Sequence, residues 1–489
     1  MTESRASLAA RAERFRDWSL PAFALFAVAS IVMHNLAFLG AAAWVLAMGL
    51  RRTWRLPGRP LRLPLLVLAA ALVLSSVVEG TLNPSVYGLR KIGLMSVFFL
   101  TAAVATQPVR VSRLLDLFLA GAAVCAVYAI LVHAFGGGRA RSFSGDYMAG
   151  GGMFMLALLP AASRTLVARG KTRLVWAGVS LLLAWALVVT FTRSSWLGAA
   201  VGLLLIGALA DWRLPLAATA AAAAFLLLWP QHPVAQRAMT ITSKYTSSNV
   251  ERRYMWDSGW RMFLDRPILG YGVDNLSRHY GRYAHPEAIE QRPPHVHNTP
   301  LQLALNGGVA AVAAFAWWAA AVLLFGLRAW RRHVRGSPVR AADALGISAA
   351  FAGFLVNGLF EFNFGASQVI AIMYFMTGLL PGLAETDPEA PPYTLPKRPR
   401  LLFLRPRFAG DVLLASAVPR LVKKTWPGAR VLLLAEPGAA AVAEGEPAWD
   451  RIVTIPRRGL GAWWRGVAAL RNEHLDAAVD LFGNPRPAV

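Results

Sequence analysis

Two histidines and an asparagine stand together in HVHNTP, residues 295–300. A neutral histidine accepts a proton from a hydroxyl near neutral pH, which makes His297 a candidate general base. The same stretch opens a helix with Leu301, Leu305 and Val309 along its apolar face, and Asn298 and Thr299 are candidate N-caps. A structural histidine is the alternative, as is a His295/His297 metal pair, although a His-x-His pair without an obvious carboxylate is a weak metal signature. Guanidinium groups, which grip phosphate oxygens in bidentate fashion and stay charged at any working pH, form the second group of candidates. Arg193 lies in TFTRSSWLG between two apolar runs, Arg139 and Arg141 lie in GGGRARSFSGD, and Arg252 and Arg253 are adjacent in ERRYMW. Helical neighbours are about 100° apart, so only one of Arg252 and Arg253 is expected to face a groove.

The elements that position these side chains are set by composition. Of 489 residues 56% are hydrophobic and 16% charged, and the mean hydropathy is +0.46, more apolar surface than a soluble core of this length needs. The charges cluster in short segments between Leu/Ala/Val/Phe runs, the pattern of spans and loops. A net charge of +24 is then mostly loop charge facing anionic headgroups, and the absence of a basic stripe on a soluble fold argues against nucleic acid. Cys125 has no intramolecular disulfide partner and reads as a packing residue. The basic N-terminus precedes an apolar stretch without a small-residue cleavage site, so an uncleaved first span is expected.

With about 20 apolar residues per span, runs fall near 20–34, 36–50, 62–79, 90–106, 112–135, 148–167, 173–191, 195–210, 213–230, 300–327, 341–361 and 365–383. These are about twelve transmembrane helices, with a turn expected at His34 and Asn35 between the first two. Arg5 to Arg16, Arg51 to Arg59, Arg110 and Arg113, Arg169 to Arg173 and Arg328 to Arg335 all fall on one side, which the positive-inside rule makes cytoplasmic together with both termini. The opposite loops 79–87 and 361–365 carry no Lys or Arg. Arg90, Lys91, Arg139, Arg141 and Arg193 break the rule, and an outward cation at the membrane needs an anion, from headgroups or from a ligand.

Residues 231–299 are too polar to span and too long for a passive connector, so they form an outer subdomain. Within it Tyr254, Trp256, Trp260, Phe263 and Leu264 recur at helical spacing, and Pro267 with Gly270 ends the helix, which reads as amphipathic and interfacial. The domain reading is a cytoplasmic N-terminus at 1–19, a membrane domain at 20–383, a Pro-rich linker at 384–399 and a βαβ series at 400–489. The parallel sheet of that series needs more strands than the chain supplies before Val489, so it is expected to be an incomplete α/β domain.

The Arg-x-x-x-Leu spacing of RSSWL, HN followed by Gly308, and RRYMW…RPILGYGVDNL together resemble the O-antigen ligase and polymerase family over roughly residues 20–383. One departure is Ala311, where the family's second glycine is expected. The resemblance implies an all-α polytopic GT-C-type glycosyltransferase of the bacterial inner membrane, working at its periplasmic face on an undecaprenyl-pyrophosphate-linked glycan. His297 is then the catalytic base, Arg193 and Arg252 hold the leaving pyrophosphate, and Arg139 and Arg141 are further phosphate ligands. No metal or other cofactor is required, because arginines neutralise the leaving group. The acceptor implied is lipid A-core or another glycolipid. Polymerisation of repeats and transfer to protein hydroxyls share the donor chemistry, and a lipid-linked sugar transporter is the alternative from another class. The tail, RLLFLRPRFAGDVLLASAVPRLVKKTW, is similar to the start of a heptosyltransferase-type family 9 glycosyltransferase, a Rossmann-like GT-B N-terminal half, in which Asp411 becomes the candidate base.

Overall fold

The computed structural model describes residues 3–384 and 395–480, apart from 31, 55, 81–85, 144, 242, 244, 335, 405–411, 413–414, 456–469, 471–472 and 474. Two units divide the chain, Met1–Asp387 and Pro388–Val489. The described elements of the first are helices: α1 Glu3–Phe26, α2 Val32–Arg51, α3 Arg62–Val78, α4 Val86–Gly93, α5 Ser96–Val104, α6 Pro108–Gly136, α7 Tyr147–Val167 and α8 Gly170–Val189. It continues with α9 Arg193–Leu209, α10 Arg213–Leu228, α11 Pro233–Met239, α12 Ser247–Asp265, α13 Leu276–Tyr280, α14 Thr299–His333, α15 Pro338–Gly358 and α16 Ser367–Ala384.

This is a mostly helical multi-span membrane protein. Among the described residues six helices (α2, α6, α7, α8, α14 and α15) are long and apolar enough to cross a bilayer, or seven if α10 and α11, bent by 109°, form one broken span. The expected count of about twelve differs because several apolar runs fold into shorter or interrupted helices. The helices Arg62–Val78, Arg193–Leu209 and Ser367–Leu383 are apolar but shorter, and the run at 90–106 is interrupted by a turn at 94–95 between α4 and α5. The expected turn at His34 and Asn35 lies earlier, at 27–29, and both residues are inside α2.

Helix α7 is the core element, with every residue from Ala149 to Arg164 buried. A helix apolar on all sides belongs at a bundle centre. Its Arg164 is paired with Asp343 of α15 at 2.7 Å and with Asp116 of α6, and its guanidinium lies over the Trp176 ring of α8. One guanidinium thus meets two carboxylates at one end of the bundle. Small residues let α9 approach α15 at the other end. Gly198 and Gly353 face each other with no room for a Cβ on either, and Asn357 Nδ2 donates to Ser195 Oγ at 3.0 Å. That packing fixes Arg193, at the start of α9, beside the loop that follows α15.

Helix α14 is broken where a continuous span was expected, at Gly307 (φ −150°, ψ 17°) and Gly308 (φ 65°, ψ −163°). Ala311 is fully buried beside the break. The segment between α12 and α13 fits into this break: Tyr271 N donates to Leu305 O at 2.6 Å and Val309 N to Pro267 O at 2.8 Å. Met255, Met262, Tyr271, Tyr280 and Val296 form a small core of their own around α12 and α13.

The second unit contains a four-stranded parallel sheet in the order β3-β2-β1-β4, with β1 Arg400–Leu404, β2 Arg430–Ala435, β3 Arg451–Thr454 and β4 Ala477–Asp480. Leu402 is in register with Leu432 on one side and Ala478 on the other. The strand β3 was not expected, being a four-residue segment with one inward side chain, Val453. Asp411 lies outside the described residues.

Candidate functional site

The segment that carries the histidines is fixed by short-range bonds. Asn298 caps α14, its Oδ1 accepting from Leu301 N at 2.9 Å, while its Nδ2 donates to Leu359 O at 2.9 Å. Thr299 Oγ1 donates to Glu361 O at 2.8 Å and accepts from Asn363 N at 3.1 Å. On the other flank Val296 is fully buried, its N–H donating to Gln302 Oε1 and its carbonyl accepting from Trp256 Nε1 of α12. Between these anchors His297 adopts φ 49°, a left-handed conformation that is uncommon for a residue with a Cβ. Such strain persists where the surroundings over-determine it, and it concentrates at functional sites.

That conformation delivers the imidazole to a carboxylate. His297 Nδ1 lies 2.8 Å from Glu361 Oε1, and Arg252 Nη2 lies 3.5 Å from the other carboxylate oxygen, Oε2. With Nδ1–H donating to Glu361, the Nε2 lone pair is the one available for proton transfer. Burial raises the Glu361 carboxyl pKa, but the His297 hydrogen bond and the charges of His297, Arg252 and His295 hold it below the usual carboxylate range. His295 packs edge-on to His297, ring centroids 4.2 Å apart. Burial, with His297, Lys91 and Arg252 nearby, brings its pKa down to about 4.

The shift of His295 has a sign that can be measured. An unfolded His295 takes up its proton near pH 6.5, whereas the folded one stays neutral down to about pH 4. The unfolded state therefore binds more protons in this window, and the stability that His295 contributes is present above pH 6.5 and lost as pH falls toward 4. Thermal unfolding in detergent is expected to show this as a falling midpoint that His295→Gln flattens. An equally steep fall in the variant would refute the assignment.

Arginines gather beside this pair. Arg193 Nη1 donates to Thr240 O at 2.6 Å and Oγ1 at 3.0 Å, and Nη2 to Ser248 Oγ at 3.0 Å and Asn249 Oδ1 at 2.7 Å. Arg139 Nε donates to Thr190 O at 2.8 Å, and its guanidinium sits 3.5 Å above the Tyr147 ring. All of these hydrogen-bond acceptors are neutral. Arg237, on α11, lies close enough to repel Arg139, Arg193 and Arg252. Burial and that repulsion lower the Arg252 pKa against the attraction of Glu361.

Arg193 and Arg252 line a cavity of about 370 Å³ walled by Leu197, Trp256 and Phe360, within the size range of small-molecule sites. Arg253 lines it as well. The expectation that only one of the adjacent pair faces the groove is thus corrected, because long side chains reach around the helix from neighbouring positions.

Other expected cations have protein partners. Lys91 pairs with Asp274 at 2.9 Å, and Arg90 donates to Asn35 Oδ1 at 2.7 Å. Arg141 is exposed on the loop that carries Arg139 and has no comparable link to the cluster. Sequence reasoning missed Glu361 and Arg237. Glu361 stands in the loop noticed only for its lack of cations, and an acidic residue next to a span end was the available signal. It also supplies the carboxylate that the histidine pair lacked, since ligand atoms of His295, His297 and Glu361 lie within 4.8 Å of one another. Arg252 and the neighbouring arginines oppose a divalent cation at that position.

A helical bundle with a histidine–carboxylate pair and clustered arginines at one end of its spans defines an integral membrane enzyme. Residues 178–316 match the O-antigen ligase family. The match likens this segment to membrane glycosyltransferases of the ligase/polymerase type, a family that implies lipid-linked glycan substrates. The matched segment contains Arg193, Arg252, His297 and Gly308, whereas Arg139, Glu361 and the C-terminal sheet lie outside it. No curated protein matches the chain.

Proposed function

We propose that the protein transfers a glycan from undecaprenyl pyrophosphate to a lipid acceptor at the periplasmic face of the inner membrane, as in ligation of O-antigen to lipid A-core. The observation that carries this reading is the arginine cluster: Arg139, Arg193 and Arg237 have no carboxylate partner among the described residues, and Arg252 shares Glu361 with His297. A ligand with concentrated negative charge supplies the missing counter-ion. His297 Nε2 takes the proton from an acceptor hydroxyl, and the oxygen attacks the anomeric carbon. The bond from that carbon to the pyrophosphate oxygen breaks, its electron pair stays on the leaving group, and the configuration inverts. Glu361 orients the imidazole and stabilises the imidazolium that forms. Because the Nη groups of Arg193 are already engaged, a bidentate grip requires exchange of the Ser248 and Asn249 contacts.

The positive-inside pattern supports the periplasmic assignment and a cytoplasmic position for both termini. The C-terminal parallel sheet is consistent with a partial family 9 glycosyltransferase-like domain, for which Asp411 stays the candidate base.

Reconstitution of the full chain with undecaprenyl-pyrophosphate-linked glycan and lipid A-core is the decisive test. One glycan moved to the core is the expected product. A ladder of repeats left on undecaprenyl would mark a polymerase, glycosylated protein would mark an O-oligosaccharyltransferase, and movement of the glycan lipid without transfer would mark a transporter.

A further inference from the structure

A second and larger cavity, of about 1360 Å³, opens among α2, α3 and α5 and the distal parts of α14 and α16. We propose that it is a binding site for an anionic glycerophospholipid of the leaflet opposite the catalytic centre.

Its position follows from α14, which begins at Thr299 beside His297 and reaches this cavity at Phe325. Past the break at Gly307 and Gly308 the helix runs unbroken from Val309 to Phe325, about 24 Å at ~1.5 Å per residue, which is most of the ~30 Å hydrocarbon core of a bilayer. The other lining elements agree, since the cavity meets α2 near its C-terminus at Met48, α3 near its N-terminus at Leu63 and α16 near its end at Gly382.

Its chemistry is divided. The wall is apolar, with Trp44, Leu63, Leu66, Ala103 and Phe325, and the rim carries Arg16, Arg59 and Arg62 against the single carboxylate Glu13. Glu13 is already paired with Arg51 at 2.7 Å and Arg16 with Asp17 at 2.7 Å. Arg62 donates to the Leu56 carbonyl, and Arg59 is exposed with no hydrogen bond or ion pair among the described residues. Gly58, at φ 86°, has no room for a Cβ against Phe98, so the loop carrying Arg59 lies directly over the apolar wall. Two arginines without carboxylate partners above a greasy cleft fit one phosphate headgroup with its acyl chains below. The volume exceeds the ~300–1,000 Å³ of ordinary small-molecule pockets, as a lipid requires.

The test is native mass spectrometry of the full-length protein in detergent, offered equal amounts of phosphatidylglycerol and phosphatidylethanolamine. Preferential retention of phosphatidylglycerol is expected, at about fivefold per arginine engaged. Arg59→Gln with Arg62→Gln is expected to cut that preference by about thirtyfold. Ala103→Trp, which fills the cleft and leaves the arginines intact, is expected to expel the lipid. Equal retention of the two lipids, or an unchanged preference in the double variant, would overturn the proposal. Displacement by millimolar inorganic phosphate would also overturn it by showing a soluble-anion site, and selective retention of added undecaprenyl phosphate would overturn the choice of occupant. Both variants are expected to keep the wild-type transfer rate, which separates loss of the lipid from loss of the fold.

Discussion

His297→Asn is expected to lower glycan transfer by about 10²–10⁴-fold, the usual contribution of a positioned general base. Asparagine is the informative replacement because it tolerates the left-handed backbone that His297 occupies, φ 49°, better than alanine does. It therefore removes the base with the least disturbance to the Asn298 cap and the Thr299 contacts. Donor binding should survive, since Arg193 and Arg252 are untouched, so the loss should fall on kcat more than on KM. A companion change, Glu361→Gln, keeps the shape of the partner but removes its charge from between His297 and Arg252. Its effect should be smaller, and it should move the pH profile of kcat, which a merely structural role would leave in place. A wild-type rate for His297→Asn would end the base assignment, and an unmoved profile for Glu361→Gln would end the orienting role of the carboxylate.

Gly308→Ala is expected to be the most damaging single-methyl change in the helical unit, costing on the order of 3–5 kcal/mol. Two independent effects combine there. The backbone, at φ 65° and ψ −163°, lies in a region open essentially only to glycine. In addition, a Cβ at this position would overlap the Ile268 carbonyl. Gly270 plays the reciprocal part, since its own Cβ would overlap the carbonyl of Leu305. These two glycines let the segment after α12 dock its backbone into the break of α14. The variant should lose its monodisperse detergent elution profile or its cooperative thermal transition, and a wild-type transition would refute this account of the break.

Much of the site was legible because its parts carry chemical signatures that do not depend on tertiary contacts. Arg193 stands apart from the other cation clusters between two apolar runs, Arg252 sits in a recognisable amphipathic helix, and His297 directly precedes a helix cap. What was illegible arises from proximity across long sequence separations. Glu361 meets His297 from 64 positions away, and an acidic residue at a span end in EFNFG does not by itself say which side chain it meets. Arg237 looks like an ordinary surface cation until α11 folds back at 109° to α10. Gly308 was visible as a spacing, but glycine in an apolar helix usually signals close packing, and only the bonds from Tyr271 and Val309 reveal a broken helix. Fewer helices than apolar runs reach full span length for a related reason, because hydropathy measures apolar length and does not register turns such as that at 94–95.

The neutral surroundings of the arginine cluster bear on the end of the catalytic cycle. On the proposed pathway, cleavage converts a pyrophosphate diester into a monoester with one more ionisable oxygen. Negative charge at the cluster therefore rises at the moment of transfer, and Arg139, Arg193, Arg237 and Arg252 hold the spent carrier more tightly than the loaded one. Departure of the carrier is thereby slowed, and free carrier that accumulates opposes turnover. An enzyme arranged in this way keeps pace only where the freed carrier is removed from the same membrane face.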